Sequence, residues 1–223
     1  MDQDIVQSSE GVTLVGAGHP NHSDIKESLK SAPCLVAADG GANYCVDAGL
    51  VPSAVIGDLD SLDTNLNDDL SESKLIRIAE QETTDFEKCL TRIDAPFILA
   101  TGFTDGRIDH TLAVWSVLAR RIGPPTLVLG RSDVVFAAGQ TIEIDLIPGS
   151  RLSLFPLFEL TGRSVGLEWP IDDLTLSPMG RIGISNRVIG PVRLEFAAPG
   201  CLVITPRAAL GAALATIAGD VTN

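Results

Sequence analysis

Short apolar runs alternate with helix-like stretches along residues 1–135 of the chain. The runs are almost continuously apolar, which is the pattern of parallel strands buried on both faces. They predict six strands: Val12–Val15, Cys34–Ala38, Ala54–Ile56, Leu75–Ile78, Phe97–Ala100 and Thr126–Leu129. Strands separated by helices in this way are typical of an α/β domain with a parallel sheet and right-handed crossovers.

Helix signals lie between these strands. Asp24–Glu27 and Thr84–Glu87 have the character of capping boxes, which predict that a helix starts at each. A third helix is predicted over 109–121, because Gly123-Pro124-Pro125 follows and stops it. The Ala-rich segment from Arg207 onward fits either a final helix or a frayed end.

The pattern changes after Gly139. Short strands follow one another without a long helix between them, separated by turn signals such as Pro148-Gly149 and Gly190-Pro191. They are Thr141–Ile147, Arg151–Pro156, Ile182–Ser185, Val192–Phe196 and Cys201–Ile204. Such spacing is typical of an antiparallel β-sandwich. We therefore predict an α/β fold with a parallel-sheet domain at 1–138 and an antiparallel β-sandwich domain at 139–223.

Composition supports a globular protein with an acidic surface. The chain has 223 residues, of which 45% are hydrophobic and only 4% aromatic, so an aliphatic core of good size is expected. Lys and Arg number 16 against 29 Asp and Glu, which gives a formal net charge of −13. This charge argues against nucleic acid and anionic membranes as partners, since both require a basic surface.

The sequence also suggests a reducing, cytoplasmic environment. Acidic residues stand at the N-terminus, where a secretory signal would carry basic ones, and no apolar segment follows them. The longest apolar tract, Ala208–Ala218, is interrupted and shorter than the ~20 residues of a membrane span. The four cysteines lack C-x-x-C spacing, so each is expected to fill a small buried apolar position.

Acidic residues follow several of the predicted parallel strands. Because ligands of such sheets bind beyond the carboxyl ends of the strands, these residues are expected to share one edge. They are Asp39, Asp58, Asp60, Asp85 and Asp109. Like charges gathered in a cleft repel each other unless a cation joins them, and Mg²⁺ binds both carboxylates and substrate phosphates. Alternation along an extended chain would aim Asp58 and Asp60 to the same side.

Each motif alone has a simpler explanation. Gly16-Ala17-Gly18 lacks the third glycine of a dinucleotide site and fits a tight turn or a phosphate-approach loop. Lys88 lies on the same helical face as Asp85, so it could form an intrahelical ion pair or contact phosphate. Arg107 could be a surface loop residue or a phosphate ligand. His19 and His22 have no further ligands for a zinc site and are expected at the surface.

Taken together, six motifs in order resemble the thiamine pyrophosphokinase family. They are Asp-Gly-Gly-Ala-Asn (39–43), Gly-Asp-Leu-Asp-Ser (57–61), Thr-Thr-Asp-Phe-Glu-Lys (83–88), Gly-Arg-Ile-Asp-His (106–110), Gly-Leu-Glu-Trp-Pro (166–170) and Gly-Ile-Ser-Asn (183–186). The first loop, 19–22, and the tail after Pro206 do not match. The resemblance implies an α/β domain joined to a β-sandwich, a homodimer, and transfer of the diphosphate of ATP to the hydroxyl of thiamine, which yields thiamine diphosphate and AMP.

The resemblance also implies roles for individual residues. Asp58, Asp60 and Asp85 would hold Mg²⁺, while Lys88 and Arg107 would neutralise phosphoryl charge; Asp109 would be a metal ligand, orient the hydroxyl of thiamine or accept its proton. The nucleotide side would be lined by Asp39, Gly40, Gly41, Asn43, Ser61, Thr84 and His110. Thiamine would be held by Gln81, Trp169, Ser185 and Asn186, although Trp169 could instead belong to the core.

Two other functions fit the same residues. A related diphosphokinase could act on another hydroxymethyl heteroaromatic such as a pterin, in which case only the residues around Trp169 would differ. A non-catalytic sensor of thiamine or nucleotide is also open. The clustered carboxylates with Lys88 and Arg107 argue against the sensor, because binding alone has little need for a metal site.

Overall fold

The computed structural model describes residues 5–66 and 68–219. It is a mixed α/β structure that divides into two compact units. The first contains the described residues up to Val117 together with Ile122–Gly130, and the second contains Leu118–Arg121 and the described residues from Arg131 onward. The strand Asp133–Ala137, which the sequence pattern did not predict, belongs to the second unit, and the domain boundary after residue 138 stays a prediction.

All six strands predicted for the first unit are present, with bounds shifted by at most one residue. The strands of this unit are β1 (Val6–Gln7), β2 (Val12–Val15), β3 (Cys34–Ala38), β4 (Ala54–Gly57), β5 (Lys74–Arg77), β6 (Ile93–Asp94), β7 (Ile98–Thr101) and β8 (Thr126–Leu129). Parallel pairs join β3 to β4 and β4 to β5, and likewise β2 to β7 and β7 to β8. The two-residue strands β1 and β6 pair in parallel and are too short to show a period in the sequence.

Helices connect these strands and give the apolar runs their buried environment. They are α1 (His22–Ser28), α2 (Gly41–Asp47), α3 (Asp85–Leu90) and α4 (Ile108–Ala119), with a 3₁₀ turn at Thr64–Leu66. Strands β2, β4, β7 and β8 are buried along their whole length. Since the strands run parallel, the loops that follow β3, β4 and β5 leave the same edge. The amide of Asp39 donates to the carbonyl of Ile56 (2.9 Å), which fixes the first of these loops against β4.

One predicted helix start is confirmed and another is wrong. The Thr84 hydroxyl accepts a hydrogen bond from the Glu87 amide (3.3 Å), so Thr84 caps α3 as expected. Helix α1 instead begins at His22, with Asn21 at its N-cap. Asp24 therefore lies inside the first turn, where its negative charge favours the positive end of the helix dipole but does not cap it.

The second unit is built from antiparallel strands. They are β9 (Asp133–Ala137), β10 (Thr141–Ile144), β11 (Arg151–Pro156), β12 (Leu160–Leu167), β13 (Thr175–Leu176), β14 (Gly183–Phe196) and β15 (Cys201–Pro206). Strand β11 pairs with β14 and β15, and β15 pairs with β9. Strand β14 also pairs with β10 and β12. The C-terminal segment forms a 3₁₀ turn (Arg207–Ala209) and the helix α5 (Leu210–Gly219). Of the final helix and the frayed end that the sequence allowed, the helix is therefore present.

The turn expected at Gly190-Pro191 is wrong. A single strand, β14, runs through these residues and merges the two strands predicted on either side. The register with β12 shifts between Val165 and Leu167, and Gly166 there has φ +81°. A Cβ at Gly166 would lie 2.1 Å from the carbonyl oxygen of Pro191, so the two strands are in close contact there. An irregularity in the pairing of β12 with β14 is therefore found where the sequence pattern predicts a turn. Glycines at 162 and 166 also weaken the strand signal of β12 in the sequence.

The cysteines are free, as the sequence predicts, and Cys45, Cys89 and Cys201 are buried. Burial raises the pKa of the Cys45 and Cys201 thiols to about 12, which keeps both protonated. Cys34 is partly exposed. Among the described residues, no helix is long and apolar enough to cross a membrane.

We predict that Gly41→Ala destabilises the first unit. A Cβ at Gly41 would lie 2.0 Å from the Val15 carbonyl oxygen, so α2 would have to move away from β2. We expect the free energy of unfolding in urea to fall by about 1–3 kcal/mol, the usual cost of overpacking. In α5, a Cβ at Gly211 would meet no atom within 4 Å, so Gly211→Ala is the matched control and should stabilise by about 0.5–1 kcal/mol. Equal stability of the two variants would contradict this packing argument.

Candidate active site in the first unit

A cavity of about 490 Å³ opens beyond the carboxyl ends of the parallel strands. Its walls are the loops that follow β2, β3, β4 and β5, the start of α3, the loop after β7 and the first turns of α4. Its lining includes Asp39, Asp58, Asp85, Lys88 and Arg107. This is the edge at which the sequence pattern predicts a site.

Three carboxylates cluster at this edge. Asp39, Asp58 and Asp60 each offer an oxygen, and these oxygens lie within 4.8 Å of one another. Three carboxylates at such spacing match the oxygen ligands of a hard dication. The structure brings Asp39 into this group, whereas the sequence motif places Asp39 on the nucleotide side and makes Asp85 the third metal ligand.

Asp39 is held in an unusual position. Its side chain is buried, its φ is +44°, and its Oδ1 has no hydrogen-bond partner among the described residues. Its approach to β4 depends on Gly57, because a Cβ there would lie 2.7 Å from the Asp39 Cβ. A buried carboxylate oxygen left unpaired costs about 1–3 kcal/mol or more, which a bound cation would offset.

The two other carboxylates are brought to the same side by a left-handed residue between them. Leu59 has φ +64°, so the backbone from Asp58 to Asp60 is not an extended segment with simple alternation. The Asp60 amide donates to Oδ1 of Asp58 (3.4 Å), and the Ser61 hydroxyl donates to Oδ1 of Asp60 (2.9 Å). Asp58 and Asp60 thus point to the same side, as expected, but because of the left-handed backbone at Leu59. The alternation of side chains along an extended strand, on which the prediction is based, is not the cause.

Gln81, which the family resemblance assigns to thiamine, contacts a carboxylate. Its Nε2 donates to Oδ2 of Asp58 at 2.8 Å. This hydrogen bond is the largest cause of a lowered pKa of Asp58, with the Asp60 amide the second. Gln81 therefore helps to keep Asp58 ionised and ready to bind a cation.

Lys88 and Asp85 form a nearly buried ion pair on α3. The Lys88 Nζ lies 3.2 Å from Oδ1 of Asp85, and the Lys88 side chain is 3% exposed against 38% for Asp85. Burial raises the pKa of Asp85, although Lys88 opposes that shift. A lysine at such a depth needs a negative partner. Asp85 supplies one, and both residues line the cavity.

Arg107 and Asp109 pair with each other at the start of α4. Two hydrogen bonds join them, Nε to Oδ1 at 3.1 Å and Nη2 to Oδ2 at 2.5 Å, and both side chains are largely exposed. The Arg107 guanidinium lowers the pKa of Asp109 to about 2. Arg107 and His110 line the cavity, but Asp109 is not among its lining residues. Of the five acidic residues expected together, Asp39, Asp58 and Asp60 cluster, whereas Asp85 pairs with Lys88 and Asp109 pairs with Arg107.

The Asp-Gly-Gly-Ala-Asn motif combines lining and packing roles. Gly40 lines the cavity, and the absence of a side chain at Gly41 lets α2 approach β2. Asn43 is not among the lining residues. Its Nδ2 donates to the Ser61 carbonyl (3.1 Å) and its Oδ1 accepts from the Asp63 amide (3.2 Å). Asn43 therefore holds the loop that carries Asp58 and Asp60.

Sequence reasoning missed two side chains of this cavity. His19, expected at the surface, is exposed but lines the cavity from the loop after β2, and Phe103 lines it from the loop after β7. Phe103 packs on Phe86 with ring centroids 4.8 Å apart. The sequence signal that could have identified them is their position, since His19 lies four residues and Phe103 two residues beyond the end of a parallel strand.

The remaining predicted residues lie in the second unit. Trp169 is 53% exposed, which argues against the core alternative. The buried Asn186 side chain pairs with the Trp169 backbone, donating to its carbonyl (2.6 Å) and accepting from its amide (3.2 Å). The Arg187 guanidinium lies 5.7 Å from the centre of the Trp169 ring. Ser185 is exposed with φ +59°. Asn186 thus positions Trp169, and Trp169 and Ser185 present their side chains to solvent.

Comparison with known proteins points to one family. Residues 25–125 match the model of the thiamin pyrophosphokinase catalytic domain. A thiamin pyrophosphokinase of Caenorhabditis elegans is 26% identical over 173 residues, which are 69% of this chain and 70% of that protein. A thiamine pyrophosphokinase of Oryza sativa is 28% identical over 191 residues, which are 70% and 72% of the two chains.

Solved structures share the fold. The thiamin pyrophosphokinase of Candida albicans superposes with a TM-score of 0.76 at 17% identity, over 91% of this chain and 93% of that one. The enzyme of Geobacillus thermodenitrificans gives 0.72 at 22% identity, over 88% and 96%. The catalytic-domain match, the curated relatives and the shared fold all indicate similarity to the thiamin pyrophosphokinase family.

Proposed function

We propose that the protein is an Mg²⁺-dependent thiamine diphosphokinase, which transfers the diphosphate of ATP to the hydroxyl of thiamine and releases AMP. The observation that carries this proposal is the cluster of Asp39, Asp58 and Asp60, of which Asp39 and Asp58 line the same cavity as the buried Lys88. A polyphosphate cannot enter such an acidic cleft alone. With a dication on the carboxylates, the cleft accepts it.

The donor set fits Mg²⁺, because it consists of carboxylate oxygens and includes the unpaired Oδ1 of Asp39. Asp58 and Asp60 would hold the ion together with Asp39, and Asp85 would stand beside them. When bound, Mg²⁺ would neutralise phosphate charge and orient the β-phosphoryl group. Asp85 is already paired with Lys88, which leaves Asp39 the better third ligand.

In this reaction the hydroxyl oxygen of thiamine forms a bond to the β-phosphorus of ATP. The bond from that phosphorus to the bridging oxygen breaks, and AMP leaves with the bridging oxygen. Lys88 and Arg107 are the cations of the cavity that would stabilise charge on the transferred and leaving groups. A carboxylate with a pKa of about 2 is a weak base. We therefore infer that Asp109 orients Arg107 rather than accepting the hydroxyl proton.

The second unit would bind thiamine. Trp169 offers an exposed indole to a flat cationic ligand, and Ser185 offers a hydroxyl next to Asn186, which bonds to the Trp169 backbone. The antiparallel pairs of β14 with β10, β11 and β12 are consistent with a β-sandwich for this unit. The homodimer and the cytoplasmic location stay predictions.

The decisive experiment incubates the purified protein with thiamine, ATP and Mg²⁺ and follows the products by chromatography. We expect AMP and thiamine diphosphate in equal amounts, with loss of both on chelation and recovery on adding Mg²⁺. If AMP forms only when a pterin alcohol is added, the acceptor is the pterin alcohol and not thiamine. Thiamine binding without any AMP would identify a sensor and refute the proposed activity.

We predict that Asp60→Asn reduces turnover at least about a hundredfold, because one metal-binding charge is lost while the shape is kept. Asp69→Asn, an exposed residue outside the cluster, is the matched control and should retain normal turnover. Circular dichroism should show the same fold for both. Near-normal activity of the Asp60 variant would remove this residue from the metal site.

We predict that Lys88→Met raises the pKa of Asp85 further, because burial already raises it and Lys88 is the group that opposes the shift. Carbon-13 NMR titration of the carboxyl groups measures this change. Gln81→Ala is the control variant. It should raise the pKa of Asp58 toward 3.8, because the hydrogen bond that lowers it is lost, and it should leave the pKa of Asp85 unchanged. An unchanged pKa of Asp85 in the Lys88 variant would show that the two side chains are not electrostatically coupled.

For the second unit, we predict that Trp169→Leu raises the KM for thiamine about tenfold or more and leaves the KM for ATP unchanged. The loss of the indole face removes an interaction worth about 1–2 kcal/mol with a cationic ring. Phe158→Leu, another exposed aromatic of this unit, should leave both constants near normal. If both variants behave alike, Trp169 has no specific role.

A further inference from the structure

His19 occupies the cavity rim in a conformation that few side chains adopt. Its φ is +57°, and its Nδ1 lies 2.8 Å from the hydroxyl of Tyr44. The two rings meet edge to face, with centroids 6.1 Å apart and planes at 86°. His19 is exposed, and it lines the cavity together with Lys88 and Arg107. None of the six motifs of the sequence analysis contains it.

The backbone around His19 is fixed by the neighbouring loop. The amide of Gly16 donates to the Thr101 carbonyl, and the amide of Gly18 donates to the Gly102 carbonyl, both at 2.8 Å. A Cβ at Gly18 would lie 2.7 Å from the Gly102 carbonyl oxygen, so the two loops are in close contact. This clamp holds the loop in place, and the ring of His19 is then oriented by Tyr44.

Tyr44 itself is anchored. It lies on α2 and packs against a buried cluster that includes Ile25, Ala42 and Cys45. A histidine whose ring nitrogen is bonded to such a fixed partner has a defined ring orientation. A phenol O–H donates readily, and with Tyr44 as the donor and Nδ1 as the acceptor the ring proton lies on Nε2.

The other nitrogen is therefore an available donor. Among the hydrogen bonds of the described residues, none uses Nε2 of His19. In this tautomer Nε2 is a donor rather than a cation ligand or a base. The N–H group instead suits an anionic oxygen of a ligand, which is the same kind of group that Lys88 and Arg107 would bind.

The geometry points to His19 as a nucleotide-positioning residue whose Nε2–H donates to a phosphate oxygen of ATP, with Tyr44 fixing the ring. This inference rests on the proposed function for the identity of the nucleotide. It adds a preorganised neutral donor to the two cations of the cavity. Because the ring is held before the ligand arrives, little rotamer freedom is lost on binding.

The test is calorimetric titration of the full-length protein with ATP and Mg²⁺, without thiamine. His19→Gly removes the ring and tolerates positive φ, so it avoids the strain that alanine would add. We expect the Kd for ATP to rise about fivefold, equivalent to about 1 kcal/mol at 1.4 kcal/mol per tenfold. Tyr44→Phe should show a smaller rise. In turnover, the KM for ATP should rise with little change in kcat.

Matched variants separate this contact from a general effect. His19→Gln should restore much of the affinity, because its Nε2 donor is the same number of bonds from Cβ. His22→Ala changes an exposed histidine outside the cavity lining and should match the wild type. GTP, measured by displacement, should lose as much affinity as ATP in the Gly variant, since the two share their phosphates.

Several results would overturn the inference. A His19→Gly variant that binds ATP within twofold of the wild type removes the contact, and no recovery in His19→Gln removes the donor role. A loss of affinity for ATP but not for GTP would indicate that the His19 ring contacts the adenine base and not the phosphates. A wild type that binds ATP tightly but forms no AMP refutes the proposed function alone, while His19 is still tested by binding. A wild type that does not bind ATP refutes both.

Discussion

The crowding of three carboxylates at the ends of β3 and β4 is the constraint around which the first unit is organised. Asp39 is buried beside Asp58 and Asp60, with Oδ1 unpaired among the described residues. In water this arrangement is unfavourable, because like charges repel and a buried oxygen loses its hydration. Several local features are needed to reach it: a glycine at 57, left-handed backbone at Asp39 and Leu59, and donors from Gln81 and Ser61.

The cations of the cavity are not used to neutralise this cluster directly. Lys88 pairs with Asp85 and Arg107 pairs with Asp109, each at hydrogen-bond distance. The charge of Asp39, Asp58 and Asp60 therefore has no hydrogen-bonded cationic partner among the residues that the structure describes. Under the proposed function, such a cavity would take a dication, and the two existing ion pairs hold side chains that would exchange a protein carboxylate for a phosphate oxygen. In this way a protein of net charge −13 would accept a strongly anionic substrate.

The parts that sequence predicts well are those set by local pattern. Continuous apolar runs identify six of the eight strands described for the first unit, and the spacing from Thr84 to Glu87 identifies the cap of α3. The parts that fail depend on partners far along the chain. Gly190-Pro191 looks like a turn until its contact with Gly166 is known, and Asn43 looks like a ligand until its contacts with Ser61 and Asp63 are known. His19 was missed because its orientation depends on Tyr44, 25 residues later.

Asn43 and Asn186 show why motif residues need not touch the ligand. Each uses both ends of its amide on backbone groups, Asn43 on the loop of Asp58 and Asp60, and Asn186 on Trp169. An aspartate in either place could accept but not donate, so one of the two backbone partners would be left unsatisfied. The requirement for an amide at these positions therefore follows from holding other side chains in place. Resemblance in motifs identifies the neighbourhood of a site, and hydrogen-bond partners then separate the residues that form it from those that support it.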